Sequence, residues 1–330
     1  MKALYDVCAP AKLNLFLHVT GRRADGFHSL QSAFMLIDWC DTLHFERRGD
    51  GQISREDLPS GRGLAGDQPG DTPGAAVGAG ANAVLPSADL TVRAAQALRA
   101  AAGASAAALG VHIGLVKRIP SQAGMGGGSS DAASTLLALN RLWQLNVPLS
   151  QLLEIGLKLG ADVPFFLLGG NSWVEGIGEI ITPIELPAAQ FLVAKPPAGL
   201  ETARIFSHPG LERNTATAII LGFAANPFEF GRNDLQAVAE QLCPGVGQGL
   251  NWLAQHGLQG RMTGSGSAVF APMPALATRM APSGGGLVAA ASLDAASFDA
   301  ATLLASKPAG FDARVCNNLA AHPLAGWADV

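Results

Sequence analysis

The 330-residue chain has no excess of positive charge: 22 Lys and Arg stand against 26 Asp and Glu, a formal net charge of −4. The pairs Arg22-Arg23, Arg47-Arg48 and Lys117-Arg118 are isolated, so no broad basic footprint for nucleic acid exists. No apolar run approaches the ~18 residues of a membrane-spanning helix. The opening Met-Lys-Ala-Leu-Tyr-Asp carries an acid at Asp6 and no apolar core, which argues against a secretory signal. Four cysteines (Cys8, Cys40, Cys243 and Cys316) lie far apart with no CxxC, so neither a zinc knuckle nor a disulfide framework is expected. Seven histidines form no HExxH, leaving metal-hydrolase chemistry without support. What remains fits a globular protein of a reduced cytoplasm, with small anionic ligands left open and no nucleic-acid or membrane partner expected; a monomer or weak homodimer is the expectation, which the composition does not decide. Its 48% hydrophobic fraction rests largely on Ala, which suits helices.

The most informative stretch is Pro120 to Asp131, Pro-Ser-Gln-Ala-Gly-Met-Gly-Gly-Gly-Ser-Ser-Asp. Glycines at 124, 126, 127 and 128 let the backbone turn through positive φ and aim several N–H groups at one anion. Ser129 or Ser130 then caps the helix that follows, placing its positive dipole end at the same spot. No Gly-Lys-Ser/Thr closes the loop, so it is not a Walker A motif, and the glycine spacing fails the Rossmann fingerprint. By itself the stretch fits a plain turn as well as a phosphate cradle.

Periodicity places this loop in context. Lys12 to Thr20 alternates as a half-buried strand, with Leu13, Leu15, Leu17 and Val19 on one face and Phe16 as the exception. Phe34 to Trp39 and Thr42 to Phe45 read as further strand, Asp89 to Ala102 as helix, and Val111 to Lys117 as the strand that enters the glycine loop. Helices follow at 129–143 and 150–159, the latter ending at Gly160 before Ala161-Asp162-Val163-Pro164. Nine glycines and four prolines between 49 and 86 suggest a surface insertion, and a second falls at about 280–300. Strand candidates at 179–184, 191–195, 260–263, 267–271 and 313–316, with helices at 233–242 and 247–256, read as a separate α+β unit. The fold class is therefore α+β in two domains, 1–178 and 179–330. Gly264-Ser265-Gly266 reads first as a strand-joining turn and second as an anion contact.

Phosphoryl transfer to an alcohol needs a phosphate cradle, a cation, a metal and a carboxylate that accepts the hydroxyl proton. Asp162, flanked by Ala, Val, Pro and Phe, is the candidate base, although an Asx-turn before Pro164 explains it equally. Lys12 lies on the strand face opposite the apolar positions, where it points into a cleft or into water. Asp131 falls in the first helical turn, where an acid favours the dipole. Phe27 and Phe206 are either core or stacking plates.

Taken together, four blocks resemble the 4-diphosphocytidyl-2-C-methyl-D-erythritol kinase family, within the galactokinase, homoserine kinase, mevalonate kinase and phosphomevalonate kinase superfamily. They are Ala9 to Asn14 with Ala-Asp-Gly-Phe-His ending at His28, Ile119 to Ala133, Gly160 to Pro164, and Met262 to Gly266. The resemblance implies an N-terminal domain of the ribosomal-S5-domain-2 type, a ferredoxin-like C-terminal domain, and ATP with Mg²⁺ as the phosphoryl source. It also implies a catalytic pair, Asp162 as base and Lys12 as stabiliser of the alkoxide. Pro120, Gly124, Met125, Gly126, Gly127, Gly128, Ser129 and Ser130 would hold ATP, with Lys117 and Asp89 near the adenine. Asn14 would contact the substrate hydroxyls and Thr202 would line the cleft, while Phe27 and Phe206 sandwich a cytosine that His28 hydrogen-bonds. The metal ligands stay unassigned.

Three positions depart from the family pattern: Phe27 stands where Tyr is usual, Asp89 where Asn is usual, and Glu201 where Ser precedes Thr202. Two rivals share the scaffold, namely a sister kinase for another small alcohol and a non-catalytic nucleotide-binding regulator.

Overall fold

The computed structural model describes residues 1–59, 89–274 and 300–328. Most of both insertions falls outside that range. The part of the first that is described forms a short strand where only loop was expected.

Two long antiparallel strands, β1 (Ala3–Arg22) and β2 (His28–Arg48), form the spine. β3 (Ile53–Asp57) runs parallel to β4 (Gly110–Val116), and α1 (Leu90–Ala101) connects the pair. From β4 the chain passes through the glycine loop into α2 (Gly127–Trp143), α3 (Leu149–Leu159) and α4 (Val163–Leu168). β5 (Ser172–Gly176) and β6 (Ile180–Pro183) then complete the first sheet, ordered β3-β4-β2-β5-β6 with β1 on the far edge of β2. β2 pairs with β4 over 42–48 and with β5 over 30–34, so one strand organises the whole sheet.

The second sheet begins with β7 (Gln190–Lys195), followed by α5 (Thr202–Ser207), α6 (Ile220–Ala225), α7 (Gln236–Leu242) and α8 (Pro244–Gln255). β8 (Arg261–Met262), β9 (Val269–Pro272), α9 (Ala300–Ala305) and β10 (Asp312–Asn317) finish it, in the antiparallel order β10-β7-β9-β8. Two pieces of the 179–330 stretch pack with the first sheet instead. β6 pairs with β5, and the tail beyond β10 returns to place Leu324 and Trp327 on the core between the first sheet and its helices. Asn171 fastens that tail, accepting from Leu36 N at 2.9 Å and donating to Leu319 O at 2.9 Å.

The layers run helices, sheet, sheet, helices. Leu13, Leu15, Phe16, Met35 and Trp173 meet Phe191, Val193 and Phe270 of the second sheet in a shared core. That contact corrects the reading of Lys12 to Thr20 as half-buried: both faces of β1 are covered, so Phe16 is core, and Lys12 is only 4% exposed. The free edge of β1 is closed by the second half of the chain, with Leu17 N donating to Arg232 O at 2.9 Å and Asp234 N to Leu17 O at 2.8 Å. The strand pairing also brings together two cysteines that the sequence left far apart. Cys8 and Cys40 lie side by side on β1 and β2, Cα atoms 5.9 Å apart, while Cys243 and Cys316 stay free and buried. Among the described residues, no helix is long and apolar enough to cross a membrane.

Candidate active site

A cleft of about 890 Å³ opens between the glycine loop, β1, the start of α4 and the 200–206 and 264–266 segments. The loop's shape is dictated by backbone. Gly124 has φ +73°, and a Cβ there would stand 2.3 Å from Thr263 O and 2.8 Å from Gly266 N, so main chain packs on main chain. Gly126, at φ +72°, is the residue before α2, and a Cβ on it would press on the Phe166 ring at 3.0 Å and on Lys12 Cγ at 3.2 Å. Helix α2 starts at Gly127 with no side-chain cap, two residues earlier than expected. The serine-cap expectation is thus corrected: the glycines supply the first N–H groups themselves, and Ser130 lies inside the helix, fully buried.

The 264–266 turn is fixed on the same framework. Ser267 N and Ala268 N donate to Gln122 O and Ala123 O at 3.0 and 3.1 Å, and Asn233 Nδ2 holds the Gly264 carbonyl at 2.8 Å. The turn joins two strands, as its first reading expected, and it also lines the cleft.

Lys12 and Asp162, 150 positions apart, meet at the foot of the loop, with Lys12 Nζ 3.5 Å from Asp162 Oδ2. Lys12 N donates to Met125 O at 2.9 Å, which ties the strand to the loop. Its ammonium donates to Asn14 Oδ1 and sits 4.4 Å over the Phe34 ring. Burial pulls its pKa below the usual lysine value, and Asp162 opposes that shift. Asp162 keeps 31% side-chain exposure at the start of α4, and its carboxylate accepts no capping hydrogen bond from that helix. The Asx-turn reading of Asp162 therefore has no hydrogen bond behind it. Asn14 is locked in turn by Thr263 Oγ1 on its N–H and by Ser32 Oγ on its amide, both at 2.8 Å.

Lys117 stands beside the loop, and sequence reading missed what holds it. Its ammonium bridges Asp41 and Asp131, the latter at 2.9 Å. Asp41 is wholly buried and also accepts from Arg118 N and Ile119 N at 2.6 and 2.8 Å. Burial works against the Lys117 charge, yet the two carboxylates outweigh it and raise the pKa. Burial, then Asp41, pushes Asp131 up to about 8. Asp131 thus lies beyond the first helical turn as an ion-pair partner and has no capping role, and its Oδ1 has no hydrogen-bond partner. The available signal for Asp41 was a lone acid between two strand runs.

Other expected residues are divided. Pro120, Met125, Gly128, Ser129, Thr202 and Phe206 line the cleft, and Thr202 Oγ1 shares a 2.8 Å hydrogen bond with Ser265. Asp89 is occupied elsewhere: it caps α1 through Thr91 N and Val92 N at 2.8 and 3.3 Å and pairs with Arg55 at 3.1 Å. The ring stacked on Phe206 is His28, with centroids 5.1 Å apart, whereas Phe27 is 60% exposed at the tip of the β1–β2 turn.

Comparison with known proteins matches both halves of the chain. The GHMP kinases N terminal domain matches residues 89–170, and the GHMP kinases C terminal domain matches 220–306. Proteins named 4-diphosphocytidyl-2-C-methyl-D-erythritol kinase from Albidiferax ferrireducens and a Polaromonas species are 58% and 60% identical. Each aligns with 99% of this chain, over 96% and 95% of its own length respectively. The chain belongs to the 4-diphosphocytidyl-2-C-methyl-D-erythritol kinase family of GHMP kinases.

A crystal structure titled 4-(cytidine 5'-diphospho)-2C-methyl-D-erythritol kinase superposes with TM-score 0.67 at 31% identity, covering 94% of this chain and 98% of the other. Homoserine kinase from Cytophaga hutchinsonii shares the fold at TM-score 0.59 but only 14% identity. The fold is common to both kinases, while the sequence identity falls from 31% to 14%.

Proposed function

We propose that this protein transfers the γ-phosphoryl group of ATP to the 2-hydroxyl of 4-diphosphocytidyl-2-C-methyl-D-erythritol, a step of the non-mevalonate isoprenoid precursor pathway. The observation that carries the reading is the Lys12–Asp162 pair, 3.5 Å apart, at the foot of a glycine loop whose N–H groups open on the same cleft. Supporting it are the curated relatives at 58% and 60% identity that bear this kinase's name.

In the proposed reaction the substrate hydroxyl lies against Asp162 and Asn14. Its oxygen bonds to the γ-phosphorus as the bond from phosphorus to the β-phosphate oxygen breaks, ADP leaves, and the hydroxyl proton passes to Asp162. Lys12, held by Asn14 and Phe34, offsets the charge developing on the attacking oxygen. The loop amides at 124–129 and the start of α2 hold the phosphates. Among the described residues no cluster of three or more His, Cys, Asp or Glu side chains could hold a metal. A magnesium ion bound with ATP would find protein oxygens at Asp162 and Ser129, which line the same cleft. Such an ion would neutralise charge on the β- and γ-oxygens.

The test is ADP release by the purified protein with the cytidylyl substrate, mevalonate or homoserine offered in parallel. Turnover confined to the first is expected. Turnover on either of the others alone would establish a sister kinase, and ATP binding without turnover on all three would establish a regulator.

A further inference from the structure

Arg213 lies in the loop between α5 and α6, 185 positions from His28, yet its Nε donates to His28 Nε2 at 3.0 Å. A guanidinium has only donors and keeps its proton at any ordinary pH. Nε2 must therefore offer a lone pair, and the imidazole proton resides on Nδ1. The guanidinium has no freedom to release this bond, because Nη1 donates to Leu211 O at 2.9 Å and Nη2 to Phe206 O and His208 O at 3.0 and 2.8 Å. One side chain thus fixes the tautomer of His28 and the backbone under Phe206, and the two rings stack 5.1 Å apart at 27°. Phe206 lines the cleft, and His28 packs against that ring.

We propose that Arg213 is a positioning residue for the pyrimidine end of the substrate: it presents His28 as a neutral Nδ1–H donor, so the subsite favours a ring with an acceptor on the facing edge. Cytosine offers a lone pair at N3, where uracil carries an N–H that would oppose the imidazole N–H. Burial, then the positive charges of Arg213 and Arg22, holds His28 below its ordinary pKa, in keeping with a neutral ring. The substrate side of this inference rests on the function proposed above, whereas the tautomer lock does not.

The experiment combines ¹⁵N–¹H correlation spectra of the imidazole nitrogens with steady-state kinetics on the full-length protein and its Arg213→Met and Arg213→Gln variants. In the wild type, His28 is expected as a single Nδ1–H tautomer. In Arg213→Met the Nε2–H form appears, and KM for the cytidylyl substrate rises roughly tenfold, the worth of one hydrogen bond. The preference over a uridylyl analogue shrinks in step, while kcat and the KM for ATP change by no more than about twofold. Arg213→Gln keeps one N–H donor and should recover part of the bias. An Nε2–H tautomer in the wild type, or unchanged spectra and KM in Arg213→Met, overturns the proposal. So does an equal loss in kcat and in both KM values, which marks a general structural role. A wild type inactive on the cytidylyl substrate defeats the proposed function, and the spectra then still decide whether Arg213 locks His28.

Discussion

The two ends of the cleft are built from different materials. At the proposed phosphate end the glycine loop makes the site: Gly124 and Gly126 at positive φ, main chain against main chain, with Lys117 held beside it by Asp41 and Asp131. At the proposed base end, side chains from distant segments make it. Phe27 and His28 come from the β1–β2 turn, Phe206 from α5 and Arg213 from the loop beyond, and Phe27 is left in solvent. A phosphate is the same in every nucleotide, so a rigid amide cradle serves it. Reading a particular base takes side-chain edges that can be exchanged without disturbing the core.

The proposed catalytic pair, Lys12 and Asp162, lies where the two ends meet, and breaking it is expected to give the largest effect. Asp162→Asn and Lys12→Met should each lower kcat by roughly 10²–10⁴-fold. Far-UV circular dichroism and the melting temperature of the Asp162 variant should stay near wild type, because that side chain is partly exposed. Near-normal turnover in a folded Asp162→Asn protein would remove the assignment.

Next in size is Gly124→Ala, which challenges the claim that the phosphate end is backbone-made. The added Cβ meets Thr263 O at 2.3 Å on a backbone that L residues avoid. A loss on the order of 2–4 kcal/mol in urea denaturation is expected, together with a raised KM for ATP. Wild-type stability in this variant would mean the loop can shift freely.

The phosphate end should also carry a pH dependence. Asp131 is held up to about 8 in the fold against an ordinary value near 3.8, so the unfolded chain releases this proton first. Stability from this group is therefore greatest below about pH 4 and declines as pH rises toward 8. Asp131→Asn should flatten that decline, by on the order of 2 kcal/mol across the window. Denaturation curves at pH 5, 6.5 and 8 decide it, and parallel slopes in both proteins would count against the buried-pair account.

Phe27→Ala should give the smallest effect. Removing an exposed stacking face is expected to raise KM for the cytidylyl substrate by about tenfold and to leave ATP binding alone, with stability changed by less than about 0.5 kcal/mol. An equal rise in KM for ATP would erase the division of labour between the ends.

The sequence alone was enough for the glycine loop, the strand before it, the helix after it and the GADVP block around Asp162. Each of these is a local pattern, a run of contiguous residues whose backbone preferences and periodicity are set by near neighbours. It also settled α1, α3 and the strands at 190–195 and 312–317 to within two residues. Only the tertiary structure decided what depended on distant packing. β1 is buried on both faces because a second sheet covers it, so the alternation that suggested a wet face leaves Lys12, Asn14 and His18 as buried polar groups. Lys117 is paired because β2 delivers Asp41 from 76 positions away, and Asp89 serves a helix cap and Arg55 where a contact to the nucleotide base was expected. His28 received its tautomer from Arg213. A hydrogen bond spanning 185 positions leaves no mark in either local sequence, because neither residue's neighbours carry any record of the other.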